Sequence, residues 1–406
     1  MHSADPIDNQ TVSTSRSNTD SADVVIVGAR CAGAATAMLL ARAGHDVIVV
    51  DRASFPSDTL STHAIARSGM VQLRRWGLLD AVLASGAPPI RRIEFHAGDA
   101  PVTRTVKDRY DVDHLLAPRR HVLDPLLQHA AEEAGARIRT ATTVTGLLRD
   151  EAGRVVGVSA RDQTGSAELR ARYVVGADGL KSRVARSVGA LLLERRPSAS
   201  STHYAYFAGD WPAMEYHLGD GSFAGVFPTH SGEACVWVCA PDDWALAHRR
   251  RHSSINEAFR AMVEHTSPAL ASRLLDSVST SNARGMTSLP NQIVQPVGDG
   301  WALVGDAGYH RDAITGHGIS DAFRDAELLA VALDRALRCP ADERDALRAY
   351  HVERDRMLRE IFELTCALSE MPPITRFVEL QKQLAGAIDR HAGELAERSL
   401  LAAAAA

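Results

Sequence analysis

The chain has 406 residues, 45% hydrophobic and 23% charged, an ordinary globular composition long enough for a large core or two domains. Its formal net charge of -5 excludes a global basic field that would recruit nucleic acid, so an anionic ligand must be held by local groups. The five cysteines are odd in number and include no Cys-x-x-Cys pair, which argues against a disulfide framework or a metal set. Free thiols in a reducing cytoplasm, and no metal, are expected.

Met1–Ala22 is rich in Ser, Thr, Asp and Asn and lacks an apolar segment, so a disordered tail rather than a signal peptide is expected. No apolar run reaches the ~18 residues of a bilayer span. Asp23–Val27 is a short continuous apolar run, as in a strand buried on both faces. Gly28 ends it. Ala32–Ala43 reads as a small-residue helix closed by Gly44, and Val47–Val50 as a second buried strand ending at Asp51. Together they form a βαβ unit. Leu60–Trp76 reads as a loop entering a helix, and Ile90–Val106 as a hairpin with His96-Ala-Gly-Asp99 near its turn. Leu123–Ala134 follows as an amphipathic helix, then strands over Ile138–Leu148 and Val155–Ala160. Tyr173–Val175 is another buried strand, running into Gly176-Ala-Asp178-Gly179.

Between Ser198 and Cys239 the pattern changes. Aromatic residues concentrate in strand-length segments separated by Gly, Pro and Asp, which reads as a sheet forming one wall of a second domain. Alternation puts Tyr204 and Tyr206 on one face and Phe207 on the other. Ile255–Leu275 reads as a helix on that domain. The chain then returns through the strand Trp301–Val304 to helices over Ser320–Leu337, Leu347–Leu368 and beyond Pro373. The fold expected is α/β: a Rossmann-like nucleotide-binding domain (23–85, 110–195, 283–340), a β-sheet-rich substrate domain (86–109, 196–282) and C-terminal helices (341–406).

Three segments carry candidate chemistry. In Gly28-Ala-Arg30-Cys31-Ala32-Gly33 the first and third glycines of a dinucleotide fingerprint are present, but Arg30 replaces the middle one. Asp51, eighteen residues past Gly33, can bind ribose hydroxyls, with Arg52 beside it. A plain turn and a strand-end carboxylate are the alternatives. In the second segment, Asp178 and Gly179 precede a helix start at Ser182, which an N-cap alone would also explain. In the third, Asp306 follows a buried strand, and Gly316 and Gly318 allow a ligand close approach to the start of a helix beginning with Ile319 and Ser320. A glycine-rich loop with a simple cap is the alternative.

These motifs, in this order and with an aromatic-rich sheet between the second and third, resemble the FAD-dependent monooxygenases of the para-hydroxybenzoate hydroxylase fold. That family is related to geranylgeranyl reductase-type enzymes and flavin halogenases. The resemblance implies FAD in an extended conformation, with Gly28 and Gly33 at the pyrophosphate and Asp51 on the adenosine ribose. It places Asp178 in a motif shared by FAD and NAD(P)H, Asp306 near the ribityl chain and pyrophosphate, and Gly316 and Gly318 beside the isoalloxazine. Arg120 matches the family's arginine along the FAD, with Arg119 as competitor by a one-residue slip. Thr62 and His63 fall in a loop that reaches the flavin. Tyr309 and Ala313 stand where the family usually has His and Pro.

The implied reaction uses NAD(P)H as a transient reductant and O2, through a flavin C4a-hydroperoxide, to hydroxylate or epoxidise a sizeable apolar or aromatic small molecule. Tyr204, Tyr206, Phe227 and Trp237 suit such a substrate, although aromatic side chains also simply fill sheet cores. A base would help with a phenol, and His217, His230, Tyr309 and His310 are candidates. A reductase of the geranylgeranyl type and a ligand-sequestering flavoprotein are the competing readings. The oligomeric state stays open.

Overall fold

The computed structural model describes residues 18–98 and 100–401. Asp99, expected near the hairpin turn, and most of the expected tail lie outside them. Residues 18–22, expected in that tail, instead belong to one continuous strand, Asn18–Val27, whose first residues pair with Ala167–Ala171. Backbone pairing to a neighbouring strand orders this polar stretch, and composition alone does not report it.

The first sheet places parallel strands in the order 301–303, 165–176, 18–27, 47–50, 137–139. After Val27 the chain crosses over to pair on one side with Val47–Val50, whereas Tyr173–Gly176 lies on the other. A topological switch point therefore falls at Gly28, where open α/β sheets bind ligands. The turns after 27, 176 and 303 all emerge at this carboxyl edge, which brings together three motifs far apart in sequence. Helix Cys31–Arg42 packs between helices Gly318–Arg338 and Arg120–Glu133. Its small residues Ala34, Ala35 and Ala37 are fully buried, which lets the three helices approach closely.

The second sheet runs 278–279, 200–208, 233–241, 222–228, 214–219, 92–96, 102–105. One face carries Tyr204, Tyr206, Met214, Phe223, Phe227 and Trp237; the other carries Phe207, Val226 and Val236. The expected Tyr204/Tyr206 against Phe207 alternation is observed. Expected helix Ile255–Leu275 is two helices, Ile255–Thr266 and Pro268–Leu275, because Ser267 caps the second and Pro268 starts it. The long helices Glu343–Ser369 and Ile374–Glu397 roof the aromatic face, with Phe377 edge-on to Phe223 at 5.0 Å. A small third sheet joins 192–196, 291–294 and 309–310.

Candidate functional site

At the phosphate end, packing dictates both glycines. A Cβ on Gly28 would lie 2.4 Å from the Ala177 carbonyl oxygen, and one on Gly33 would lie 1.8 Å from the Gly28 carbonyl oxygen. Gly28 also has a φ of +110°, which disfavours any side chain. Helix Cys31–Arg42 begins without a side-chain cap, so its first N–H groups remain free for an anion.

Arg30 does not block this cradle. Its guanidinium turns aside to donate to Asp124 at 2.6 Å and to Ser57 Oγ at 3.0 Å. Asp124 is wholly buried and also accepts from Arg120 Nε at 2.9 Å and the Cys31 thiol at 3.3 Å. Burial pushes the Cys31 thiol up, so it stays protonated and faces Asp124, leaving only its backbone for a ligand. Burial works against the Arg120 charge, but Asp124 and Asp306 hold its pKa above the usual guanidinium range. One turn along the same helix, Gln128 donates to the Ala29 carbonyl at 2.7 Å. Asp124 and Gln128 escaped the sequence reading. Their signal was the four-residue spacing that puts both on the helix face shared with Arg120.

Asp51 fastens the turn, accepting from Ala29 N–H and Ala53 N–H, both at 2.8 Å. Arg52 is exposed and has no hydrogen-bond partner among the described residues. Asp178 accepts from Ser182 Oγ at 2.5 Å, Arg183 N–H at 2.6 Å and Val184 N–H at 3.3 Å. Its carboxylate thus caps helix Arg183–Val188, and the Ala177 backbone, rather than this side chain, touches the first turn. Gly179 supplies the left-handed residue of that bend.

The third segment closes on the first. A Cβ on Gly305 would lie 2.9 Å from Ala32 Cβ. Asp306 is exposed and accepts no hydrogen bond from the described residues, so its lone pairs are open to hydroxyls. Helix Gly318–Arg338 also starts without a side-chain cap, Gly318 has open space around it, and Ile319 anchors the first turn in the core. A Cβ on Gly316 would sit 3.8 Å from both Thr62 Oγ1 and the Phe227 ring. This loop is where the glycine-lined turns of the first sheet meet the aromatic sheet. Ala313 does not leave it loose. Asp312 caps the turn through Ile314 N–H at 3.0 Å, accepts from Ser200 Oγ at 2.8 Å, and its own N–H donates to Asn291 at 2.6 Å.

His63 has a φ of +66°, a costly conformation for a residue with a side chain, and is buried. Its ring stacks on Tyr206 and its Nε2 bonds the Tyr206 hydroxyl. Burial first, then the Arg120 and Arg119 charges, hold its pKa well below the usual imidazole value, so the ring is neutral. Arg119 lies over the Tyr206 ring at 3.5 Å and is paired with Glu233 and Asp58. Arg120 therefore stands on the phosphate side, and Arg119 on the aromatic side.

The four base candidates occupy different places. His217 is on the sheet face opposite Tyr206, against Glu215 at 3.1 Å and Ser267 at 3.0 Å. His230 uses both ring nitrogens, on Ser85 at 3.0 Å and Arg119 N–H at 3.2 Å. Tyr309 is buried with Ile293, Leu358 and Phe362 behind the loop. His310 donates from Nδ1 to the Pro290 carbonyl at 2.7 Å. Of the wall residues, Tyr204, Tyr206 and Phe227 sit at the loop end, with Tyr204 Oη accepting from Ser61 N–H at 3.4 Å. Trp237 lies deeper against Phe223 and Phe227, and its indole N–H has no partner among the described residues.

Two glycine-lined turns, two uncapped helix starts and an unengaged carboxylate along one edge of a parallel sheet fit the phosphates, sugar hydroxyls and ring of an extended dinucleotide. With a buried aromatic cluster at one end, they define a flavin-dependent oxidoreductase. The chain belongs to the FAD binding domain family, whose model matches residues 21–365. It is 29% identical to the menaquinone reductase of Mycobacterium tuberculosis over 78% of this chain and 77% of that protein. It is 28% identical to digeranylgeranylglycerophospholipid reductase 1 of Methanopyrus kandleri over 86% of this chain and 90% of that one. Among solved structures it resembles PqsL of Pseudomonas aeruginosa, described as a probable FAD-dependent monooxygenase, with TM-score 0.76 and 26% identity over 91% of this chain and all of that one. PqsL has also been solved in complex with 2-aminobenzoylacetate. No helix among the described residues is long and apolar enough to cross a membrane.

Proposed function

We propose that this FAD-dependent oxidoreductase is a monooxygenase that uses NAD(P)H and O2 to oxygenate a sizeable aromatic or apolar molecule carrying a hydroxyl or carbonyl. The reading is carried by the His63–Tyr206 pair, which sets a polar group beside Thr62 and Gly316 on an otherwise aromatic sheet face. When bound, FAD supplies the redox chemistry, taking hydride from NAD(P)H and passing electrons to oxygen. Gly28, Gly33 and the start of helix Cys31–Arg42 would hold its phosphates, Asp51 and Asp306 its hydroxyls. The start of helix Gly318–Arg338 would favour negative charge on its ring. The Tyr206 hydroxyl shares a hydrogen bond with neutral His63 and would meet a substrate hydroxyl through its remaining hydrogen-bonding capacity. The orphaned Trp237 N–H is a donor for a substrate oxygen, because a buried indole normally has a partner. The roof of Phe377 and its neighbours excludes water.

A second reading, reduction of a carbon–carbon double bond, is favoured by the two reductases among the relatives. NAD(P)H oxidation is screened against aromatic and isoprenoid substrates under labelled O2. Label in the product supports monooxygenation. Equal turnover without oxygen, and no label, replaces it with the reductase.

A further inference from the structure

On the sheet face turned away from the flavin loops, two neighbouring strands present an unexplained set of ligating groups. Strands Arg92–His96 and Met214–Gly219 pair in parallel, with Glu94 opposite Glu215 and His96 opposite His217. Period-2 alternation puts these four side chains on one face and the stacked Phe95 and Tyr216 on the other. Two opposed carboxylates and two opposed imidazoles thus occupy the four corners of one cross-strand patch.

The atoms already converge. His217 Nε2 is 3.1 Å and His96 Nε2 is 3.9 Å from the same Glu215 oxygen, and the potential ligand atoms of the three residues lie within 4.8 Å of one another. Ligands about 2.0–2.2 Å from one tetrahedral zinc stand roughly 3.3–3.6 Å apart, so a small ring movement closes the set. His96 Nε2 is buried with no hydrogen-bond partner among the described residues. The two rings stack at 4.1 Å, which orients both Nε2 atoms toward Glu215. On its other side His217 Nδ1 meets Ser267 Oγ at 3.0 Å, the outer-shell partner that a metal-bound imidazole requires.

We propose that His96, Glu215 and His217 bind a divalent transition-metal cation of the zinc type, with Glu94 or water as fourth ligand. The ion would clamp strand Arg92–His96 onto the sheet independently of the flavin. Arg273 donates to Glu215 at 2.6 Å and is the group the ion displaces; its side chain is 40% exposed and has room to leave.

Chelator-treated, gel-filtered protein is titrated with Zn2+ by calorimetry and with Co2+ by visible absorbance. Wild type is expected to take up one equivalent. His96→Gln, at a partly exposed position, is expected to weaken binding roughly 10-fold or more while keeping its flavin content and melting profile. Arg273→Ala is expected to tighten binding, because it removes the competing cation, whereas exposed His129→Gln should change nothing. Absence of stoichiometric binding by wild type overturns the proposal, as does equal binding by wild type and His96→Gln. A wild-type result needs no variant to fold.

Discussion

His63 meets Tyr206 with ring centroids 5.6 Å apart and planes 11° from parallel, its Nε2 bonded to the tyrosine hydroxyl. One residue belongs to the loop after the second strand of the nucleotide-binding sheet, the other to the aromatic sheet. Their contact joins the two halves of the site.

If this pair handles the substrate hydroxyl, Tyr206→Phe should fold and keep its FAD but lose about 100-fold in kcat, within the range of acid–base contributions. A purely packing role predicts kcat within a few-fold of wild type. Steady-state kinetics alongside flavin content distinguishes the two.

Asp124 holds two guanidinium groups from a wholly buried position. Asp124→Ala leaves Arg30 and Arg120 without their partner, and breaking a buried pair costs about 3–5 kcal/mol. Urea unfolding should show that loss, and the protein should purify depleted in flavin. Asp124→Asn, which keeps the shape and one acceptor oxygen, should fall between.

Trp237→Phe preserves the aromatic packing but removes the unpartnered N–H. The expected result is a KM raised by roughly 5- to 10-fold, the worth of one hydrogen bond, with kcat little changed. An unchanged KM would assign Trp237 to the core alone.

His317 and His391 both line a small buried cavity beside Asp321 and Arg324. Burial, with Arg311 beside His317 and Arg324 beside His391, lowers their pKa to about 3 and about 4. In the unfolded chain each titrates at about 6.5. Below that value the unfolded state binds protons that the native state refuses, so their contribution is complete above about 6.5 and is lost on acidification toward their folded values. Each adds a slope of about 1.4 kcal/mol per pH unit in that window. Urea midpoints from pH 7 to pH 5 should therefore fall, and His391→Gln should flatten the fall.

The nucleotide half was largely legible in the sequence because its signals are local. A continuous apolar run ending at Gly28, a small-residue helix and a strand ending in Asp51 report their own packing. The departure at Arg30 looked serious only because its partner, Asp124, is ninety-four residues away. Ala313 is similar, since Ser200 and Asn291 supply the rigidity a proline would give. For the base candidates, residue type cannot say which face of a strand or loop a side chain takes: His217 falls on the sheet face opposite Tyr206, whereas His230 falls beside Arg119. The His96–Glu215–His217 set is invisible for the same reason, because register between distant strands creates it.

The central claim is that Gly28, Gly33, Asp51, Asp306 and the start of helix Gly318–Arg338 bind FAD. The most direct measurement is the visible spectrum of the purified or FAD-reconstituted protein, with mass analysis of the cofactor released on denaturation. A flavin spectrum and about one FAD per chain are expected, with loss of both in Gly33→Ala, where an added Cβ would meet the Gly28 carbonyl. A folded wild-type protein that stays colourless after reconstitution with FAD would contradict it.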